Sequence, residues 1–338
     1  MTDWSRYDES DARVRPTRRG SRPRSKTRPA HDDAAAGVVT AVDRGRYTVE
    51  VDGAVVMAVK ARELGRRGLV IGDEVGVVGD VTGTPDTLAR IVRRDERRTS
   101  LRRTADDTDI AERVIVANAD QLAIVTALAD PEPNARMIDR CLVAAFDARM
   151  SALLVLTKAD LASADSLRGA YEPLGVRVIE TSVRREGGPE ADPGYLLLRD
   201  ELRDLTTVMV GYSGVGKSTL VNALVPDAGR AVGVVNDVTG RGRHTSSSAI
   251  RYALPGGGWI VDTPGVRSFG LAHVDPAHFV LAFPDVGAAA DELCPRGCLH
   301  ESAEAGCELD AWADSEDRRT RLDSIRRLLA SRASGDSW

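Results

Sequence analysis

The stretch VMVGYSGVGKSTLVNAL, residues 208–224, decides the fold. It leaves the apolar run TTVMV, residues 206–210, and enters the helical pattern KSTLVNAL, residues 217–224. Between them Gly211, Gly216, Lys217 and Ser218 fit G-x-x-x-x-G-K-[ST], a strand–loop–helix phosphate cradle. In such a loop the backbone N–H groups of Gly211, Tyr212, Ser213, Gly214, Val215 and Gly216 converge on the α and β phosphates, helped by the helix N-terminus. Lys217 neutralises β/γ oxygens, the Ser218 hydroxyl takes a place on Mg²⁺, and Thr219 completes the phosphate-binding turn. Alone, the motif specifies a nucleoside triphosphate and nothing finer. Its position is the puzzle, because such a loop usually opens its domain, and here it begins at residue 211 of 338.

Reading downstream, WIVDTPG, residues 259–265, puts Asp262 at the end of an apolar strand and Gly265 just beyond. A carboxylate there holds Mg²⁺ through water, and the Gly265 N–H meets the γ-phosphate, which lets the loop sense hydrolysis. The intervening VTGRGRHTSSS, residues 238–248, is the place for a first switch. Thr245 is its candidate for closing over Mg²⁺, with His244 beside it. Reading upstream, LTKAD, residues 156–160, supplies a base reader. Asp160 can accept both N1–H and the exocyclic amine of guanine, a donor pair adenine lacks. Lys158 lays its stem on the base, Ala159 lies in the same loop, and Thr157 takes a tethering position that is Asn in many GTPases, which predicts a weaker tether. After the strand VRVIE, backbone amides near Ser182 can reach the guanine O6.

Guanine motifs therefore precede phosphate motifs, the order of a circularly permuted GTPase domain. From LAIVTAL, residues 122–128, apolar strands alternate with helical patterns, the signature of βαβ units on a parallel sheet. The GTPase domain is predicted over residues 104–270. Ahead of it, residues 36–103 carry short β-branched runs between turn signals, which predicts a small β-barrel followed by a basic linker. An OB-like barrel is the commonest fit, and SH3-like barrels share the pattern. Tyr47 is its one aromatic, so base stacking is poorly supported. Seven arginines lie in residues 90–103, read either as a solvated linker or as a phosphate contact.

Residues 1–35 form a predicted disordered basic tail, with Arg13, Arg15, Arg18, Arg19, Arg22, Arg24, Lys26 and Arg28 uninterrupted by a carboxylate. Nucleic acid and mere solubilisation are equal readings of it. A net charge of −5, 42% hydrophobic residues, and the absence of a long apolar run or a signal-peptide pattern predict a cytoplasmic protein with no membrane contact. Cys141 reads as a core residue, and the other three cysteines crowd residues 294–307. In a chain without an export signal they are not a disulfide framework.

TKAD, GYSGVGKST, RGRHTS, DTPGVRSFGL and the cysteine cluster, in that order, resemble the RsgA family of ribosome small-subunit-dependent GTPases, also called YjeQ or EngC, over residues 36–338. The fold expected is α/β, a circularly permuted P-loop GTPase domain with an N-terminal OB-like β-barrel and, over residues 271–338, a zinc-binding C-terminal helical domain. Cys294, Cys298, His300 and Cys307 match the family's zinc ligands in order, and three thiolates with one imidazole suit a closed structural Zn²⁺ site. Val266 stands where Ras-like GTPases place the water-orienting glutamine. An apolar side chain cannot do that work, and the resemblance assigns it to His244 as a catalytic residue, alongside Lys217. The activity implied is hydrolysis of GTP to GDP and phosphate, stimulated by the small (30S) ribosomal subunit during its late maturation, with 16S rRNA as partner and the chain as monomer. Two other readings remain open at this stage. One is an RNA-binding scaffold with a slowly turning-over GTP site, which Val266 favours. The other is a P-loop kinase, which leaves TKAD and the cysteines unexplained.

Overall fold

The computed structural model describes residues 31–43, 45–65, 68–103, 113–226, 249–263 and 279–333. Residues 1–30 of the predicted tail, His244, Thr245, Gly265 and Val266 lie outside them; the last five residues of the expected disordered tail are described, and Ala35 already opens the first strand.

Strands β1 (Ala35–Asp43), β2 (Arg46–Val51), β3 (Ala54–Lys60), β4 (Glu74–Val78) and β5 (Ala89–Arg94) run in the order β1-β2-β3-β5-β4, and β4 returns to pair with β1. This is a closed five-stranded barrel, and its strand order selects the OB-like topology over the SH3-like one. Alternate positions point inward, so Val39, Val49, Val51, Val56, Val75, Val77 and Ile91 make its core. Tyr47 packs among them and is buried, which withdraws the one aromatic that could have stacked on a base.

A hairpin of β6 (Ser100–Arg103) and β7 (Arg113–Ala117) leads into the second sheet. There β8 (Gln121–Ala127), β9 (Ser151–Thr157), β10 (Arg177–Thr181), β11 (Thr206–Val210) and β13 (Trp259–Asp262) are parallel, and β12 (Ile250–Ala253) lies antiparallel to β13. The order is β10-β9-β8-β11-β13-β12. Every residue of β8 is buried, because helices cover both faces of the sheet. Leu122 and Ile124 face α1 (Ala135–Asp147) and α2 (Asp165–Tyr171); Ala123, Val125 and Ala127 face α3 (Pro193–Glu201) and α4 (Lys217–Leu224). The expected TTVMV, KSTLVNAL and WIVD coincide with β11, α4 and β13, while the expected helix YLLLRDELRDL, residues 195–205, runs four residues past the end of α3. Sequence reasoning missed β12, α2 and the β6–β7 hairpin, which are short and carry no clear period, and read the start of the arginine run at residues 90–94 as linker where it is β5 of the barrel.

The C-terminal helices α5 (Pro284–Leu293), α6 (Leu309–Trp312) and α7 (Glu316–Ala333) have no core of their own. Phe283, Val286, Leu309, Leu322, Ile325 and Leu328 join α1 in one cluster, where Phe146 meets Phe283 edge-on at 4.8 Å between centroids. Helix α7 is basic, yet three of its arginines bind inward. Arg321 donates to the Pro173 carbonyl and pairs with Asp285, Arg326 forks onto Asp310 at 2.9 and 2.6 Å, and Arg327 reaches buried Asp139 at 3.3 Å. Burial holds the Asp139 carboxyl above its ordinary range, with Arg327 opposing that shift.

A polar joint ties the barrel to the GTPase sheet. Asp73 has no exposed surface; its carboxylate takes both Arg97 Nε at 2.6 Å and a second guanidinium nitrogen at 2.9 Å, and accepts from Val70 N–H. Arg98 bonds Asp120, which in turn accepts from the N–H of Thr206 at the start of β11. Gly72, at φ +85°, lets its backbone close on β7: an added Cβ would stand 2.0 Å from the Ala117 carbonyl oxygen. Above this joint β1 pairs with β12 through Ala41 and Ile250, so the barrel continues the GTPase sheet. Two of the seven linker arginines are thereby structural. Arg97→Ala leaves a buried, unpaired carboxylate and is expected to cost about 3 kcal/mol in urea unfolding, while Arg90→Ala, at an exposed strand position, should stay within about 0.5 kcal/mol.

Candidate functional site

Because β11 sits between β8 and β13, the phosphate loop emerges at the middle of the sheet's carboxyl edge, where open α/β sheets bind ligands. The loop closes on its neighbours by backbone approach: a Cβ at Gly211 would lie 2.4 Å from the Val125 carbonyl oxygen of β8. Gly216, at φ +89°, turns the chain into α4, whose first N–H groups then face the loop. The Thr157 hydroxyl, at the end of β9, is 2.5 Å from the Val215 carbonyl oxygen and 3.3 Å from that of Thr126. The expected weak tether is thus a short, buried hydrogen bond. A hydroxyl offers one donor where an asparagine amide offers two, and here it is aimed at the loop.

The predicted base-reading loop follows directly. Lys158, at φ +56°, turns its ammonium onto the Asp130 carbonyl, and Ala159 N–H bonds the Thr181 carbonyl of β10 at 3.3 Å. Asp160 is exposed and accepts from the Ser182 hydroxyl, a bond that holds its carboxyl below the ordinary range and so keeps it an acceptor at neutral pH. Ser182 N–H is committed to Asp192 at 2.7 Å, so an amide for the guanine O6 has to come from a residue after it. Ser182 stands beside Asp160 chiefly through its side chain.

Asp192 is the residue that sequence reasoning overlooked here. Buried at the N-cap of α3, it accepts from Thr181 Oγ1 at 2.6 Å, from Ser182 N–H, and from Gly194 N–H at 3.1 Å. It fixes the β10–α3 loop against the base reader, and its signal was the Asp-Pro-Gly at the start of a helix. Arg184 was also overlooked: from the same loop it reaches Thr219 Oγ1 on α4 at 3.3 Å.

At the phosphate end Lys217 pairs with Asp262 of β13, and the Thr263 hydroxyl donates to the Met209 carbonyl at 3.0 Å, which pins the end of β13 to β11. Ser218 is exposed beside them. A cleft of about 630 Å³ joins the two ends, lined by Thr157, Lys158, Asp160 and Ser182 at one and Gly211–Gly214, Gly216, Lys217, Ser218 and Thr219 at the other. Oxygen donors from Ser218 and Asp262 are the hard ligands Mg²⁺ takes. The site residues His244, Thr245 and Gly265 fall outside the described residues.

Away from the cleft, the ligand atoms of Cys294, Cys298, His300 and Cys307 lie within 4.8 Å of one another, a group that can hold a metal ion. Cys294 Sγ to Cys307 Sγ and Cys307 Sγ to His300 Nδ1 are both 3.9 Å. Edges of that length place a tetrahedron's centre about 2.4 Å from its corners, close to a zinc–sulfur bond. Burial lowers the His300 pKa and so favours the neutral, ligating ring, while burial and the neighbouring sulfurs push the Cys294 thiol up to about 11. A dication offsets that repulsion between thiolates. The His300 N–H lies 3.4 Å from Cys298 Sγ, and Arg326 steadies the His300 carbonyl at 3.5 Å. Among the described residues, no helix is long and apolar enough to cross a membrane.

Comparison with known proteins agrees with this geometry. The model of the RsgA GTPase family matches residues 94–272. The small ribosomal subunit biogenesis GTPase RsgA of Marinobacter nauticus is 37% identical over 246 residues, 71% of this chain and 68% of that one. The protein of the same name from Pseudomonas fluorescens is 37% identical over 248 residues, 71% and 69% of the two chains. In fold, the chain is similar to YjeQ from Thermotoga maritima (TM-score 0.59, 24% identity, 87% of this chain and 98% of that one) and to YloQ, a circularly permuted GTPase (TM-score 0.64, 22% identity, 91% and 98%). With its strand order, its cleft and more than half its length matched, the chain belongs to the RsgA GTPase family.

Proposed function

We propose that this GTPase acts in the cytoplasm, as a monomer, on the small ribosomal subunit during its maturation, holding 16S rRNA and hydrolysing GTP to GDP and phosphate there. The observation that carries the reading is the single cleft in which a base-reading carboxylate, Asp160, faces a phosphate loop that the chain encodes later. Thr157, Lys158, Ala159, Asp160 and Ser182 bind guanine. Gly211–Thr219 and Gly265 bind phosphates. Bound Mg²⁺, held by Ser218, Thr245 and Asp262, offsets phosphate charge. Lys217, released from Asp262, stabilises the β/γ oxygens as the bond breaks. His244 orients the attacking water in place of the glutamine whose position Val266 occupies. Zn²⁺ on Cys294, Cys298, His300 and Cys307 fastens the segment between α5 and α7. The proposed division is a basic tail over residues 1–35, a barrel and linker over 36–103, the GTPase domain over 104–270 and the metal-binding region over 271–338.

Multiple-turnover GTP hydrolysis with and without small subunits tests this function. Stimulation by subunits is expected, and its loss in His244→Ala by on the order of a hundredfold, with GTP affinity retained. Equal turnover with and without subunits would instead favour the RNA-binding scaffold.

Base reading is tested by Asp160→Asn. The amide presents one donor and one acceptor, which clash with the two donors of guanine and match the N1–H and O2 of xanthine. GTP affinity should fall about a hundredfold and XTP should become the preferred nucleotide in competition binding.

For the metal, elemental analysis of the purified protein should give one zinc per chain. Cys307→Ser should abolish it and lower the thermal midpoint, and a full complement of zinc in that variant would exclude the proposed ligand set.

A further inference from the structure

Among the described residues, the cleft holds one cation outside both the phosphate loop and the predicted base-reading motif. Arg184 leaves the β10–α3 loop two residues after Ser182, whose hydroxyl binds Asp160 at the base end. Its guanidinium nitrogen ends 3.3 Å from the Thr219 hydroxyl, on the first turn of α4 at the phosphate end. Both residues line the cleft. The side chain therefore spans the gap between the loop that receives the base and the helix that receives the phosphates. Asp192 holds the loop that carries it through Thr181 and Ser182, so the starting point of the span is fixed by buried bonds.

We infer that Arg184 is a positioning residue for the α-phosphate, the anionic group lying between base and β-phosphate in both GTP and GDP. This rests on the reading of the cleft as a guanine nucleotide site. Of the two groups at that midpoint, the ribose is neutral, whereas the α-phosphate offers oxygens that a guanidinium fork can bind as a pair. Among the described residues, the other two cations of the cleft are committed elsewhere: Lys158 to the Asp130 carbonyl at the base end and Lys217 to Asp262 at the β/γ end. Thr219 Oγ1, accepting from Arg184, steers the guanidinium over the helix N-terminus, where backbone N–H groups already favour an anion. One contact then serves two loops, closing the base-reading segment over the nucleotide.

Equilibrium binding of guanosine, GMP and GDP to the full-length chain and to Arg184→Ala and Arg184→Lys tests the assignment. Arg184 is exposed, so both variants are expected to fold. Arg184→Ala should weaken GDP and GMP by about tenfold and by the same factor, leave guanosine unchanged, and lose less at high salt. Arg184→Lys should recover part of the loss as a point charge without the fork. A loss that extends equally to guanosine would overturn the inference, since Arg184 would then brace the base loop only. Unchanged GDP affinity in Arg184→Ala would overturn it as well. Failure of the unsubstituted chain to bind GDP at all would sink the nucleotide reading of the cleft, a result distinct from either.

Discussion

Strand β11 is hydrogen-bonded along both edges, to β8 through Val208–Leu122 and to β13 through Val208–Val261, and the nucleotide cleft follows from that double pairing. The β8–β9–β10 half brings Thr157, Asp160 and Ser182; the β13 side brings Asp262. Their order along the chain is immaterial to the sheet, because a strand needs only a right-handed crossover to reach its place beside a neighbour. Permutation therefore moves the chain ends without moving the site. The Thr157–Val215 bond shows how tightly the halves then meet, with a β9 hydroxyl satisfying a carbonyl inside the phosphate loop.

What permutation does change is where the two ends of the GTPase sheet lead. At one margin β12 passes its hydrogen bonds to β1, so the OB-like barrel extends the sheet. At the other end of the chain, the C-terminal helices share the α1 core and are bound to the α2 side by Arg321 and Arg327. Neither appendage hangs on a free linker. A movement of the GTPase core has packed and hydrogen-bonded routes into both.

Arginine illustrates the limit of composition. The run over residues 90–103 and helix α7 look alike as basic surfaces, yet Arg97, Arg98, Arg321, Arg326 and Arg327 all pair with carboxylates or carbonyls of other elements. Their acids stand up to 188 positions away, as Asp139 does from Arg327, so no local window could have revealed the pairing. Charge counted along the chain overstates what is left for a polyanion.

The sequence by itself determined the fold class, the motif order and the Cys-His group that can hold a metal ion, because each is written in local signals: apolar runs between turns, glycines at a phosphate loop, and soft ligands within fourteen residues of one another. It also determined β11, α4 and β13 to the residue, since apolar runs bounded by turn residues have only one way to pair and bury. Only the tertiary structure decided that Thr157 binds the loop, that Asp192 holds the predicted base-reading segment, that Arg184 crosses the cleft, and that Arg97 holds the linker to Asp73 of the barrel while Arg98 and Asp120 tie it to β11. Those contacts join residues far apart in sequence, and their strength depends on burial and donor geometry. Both come into being only when the sheets close.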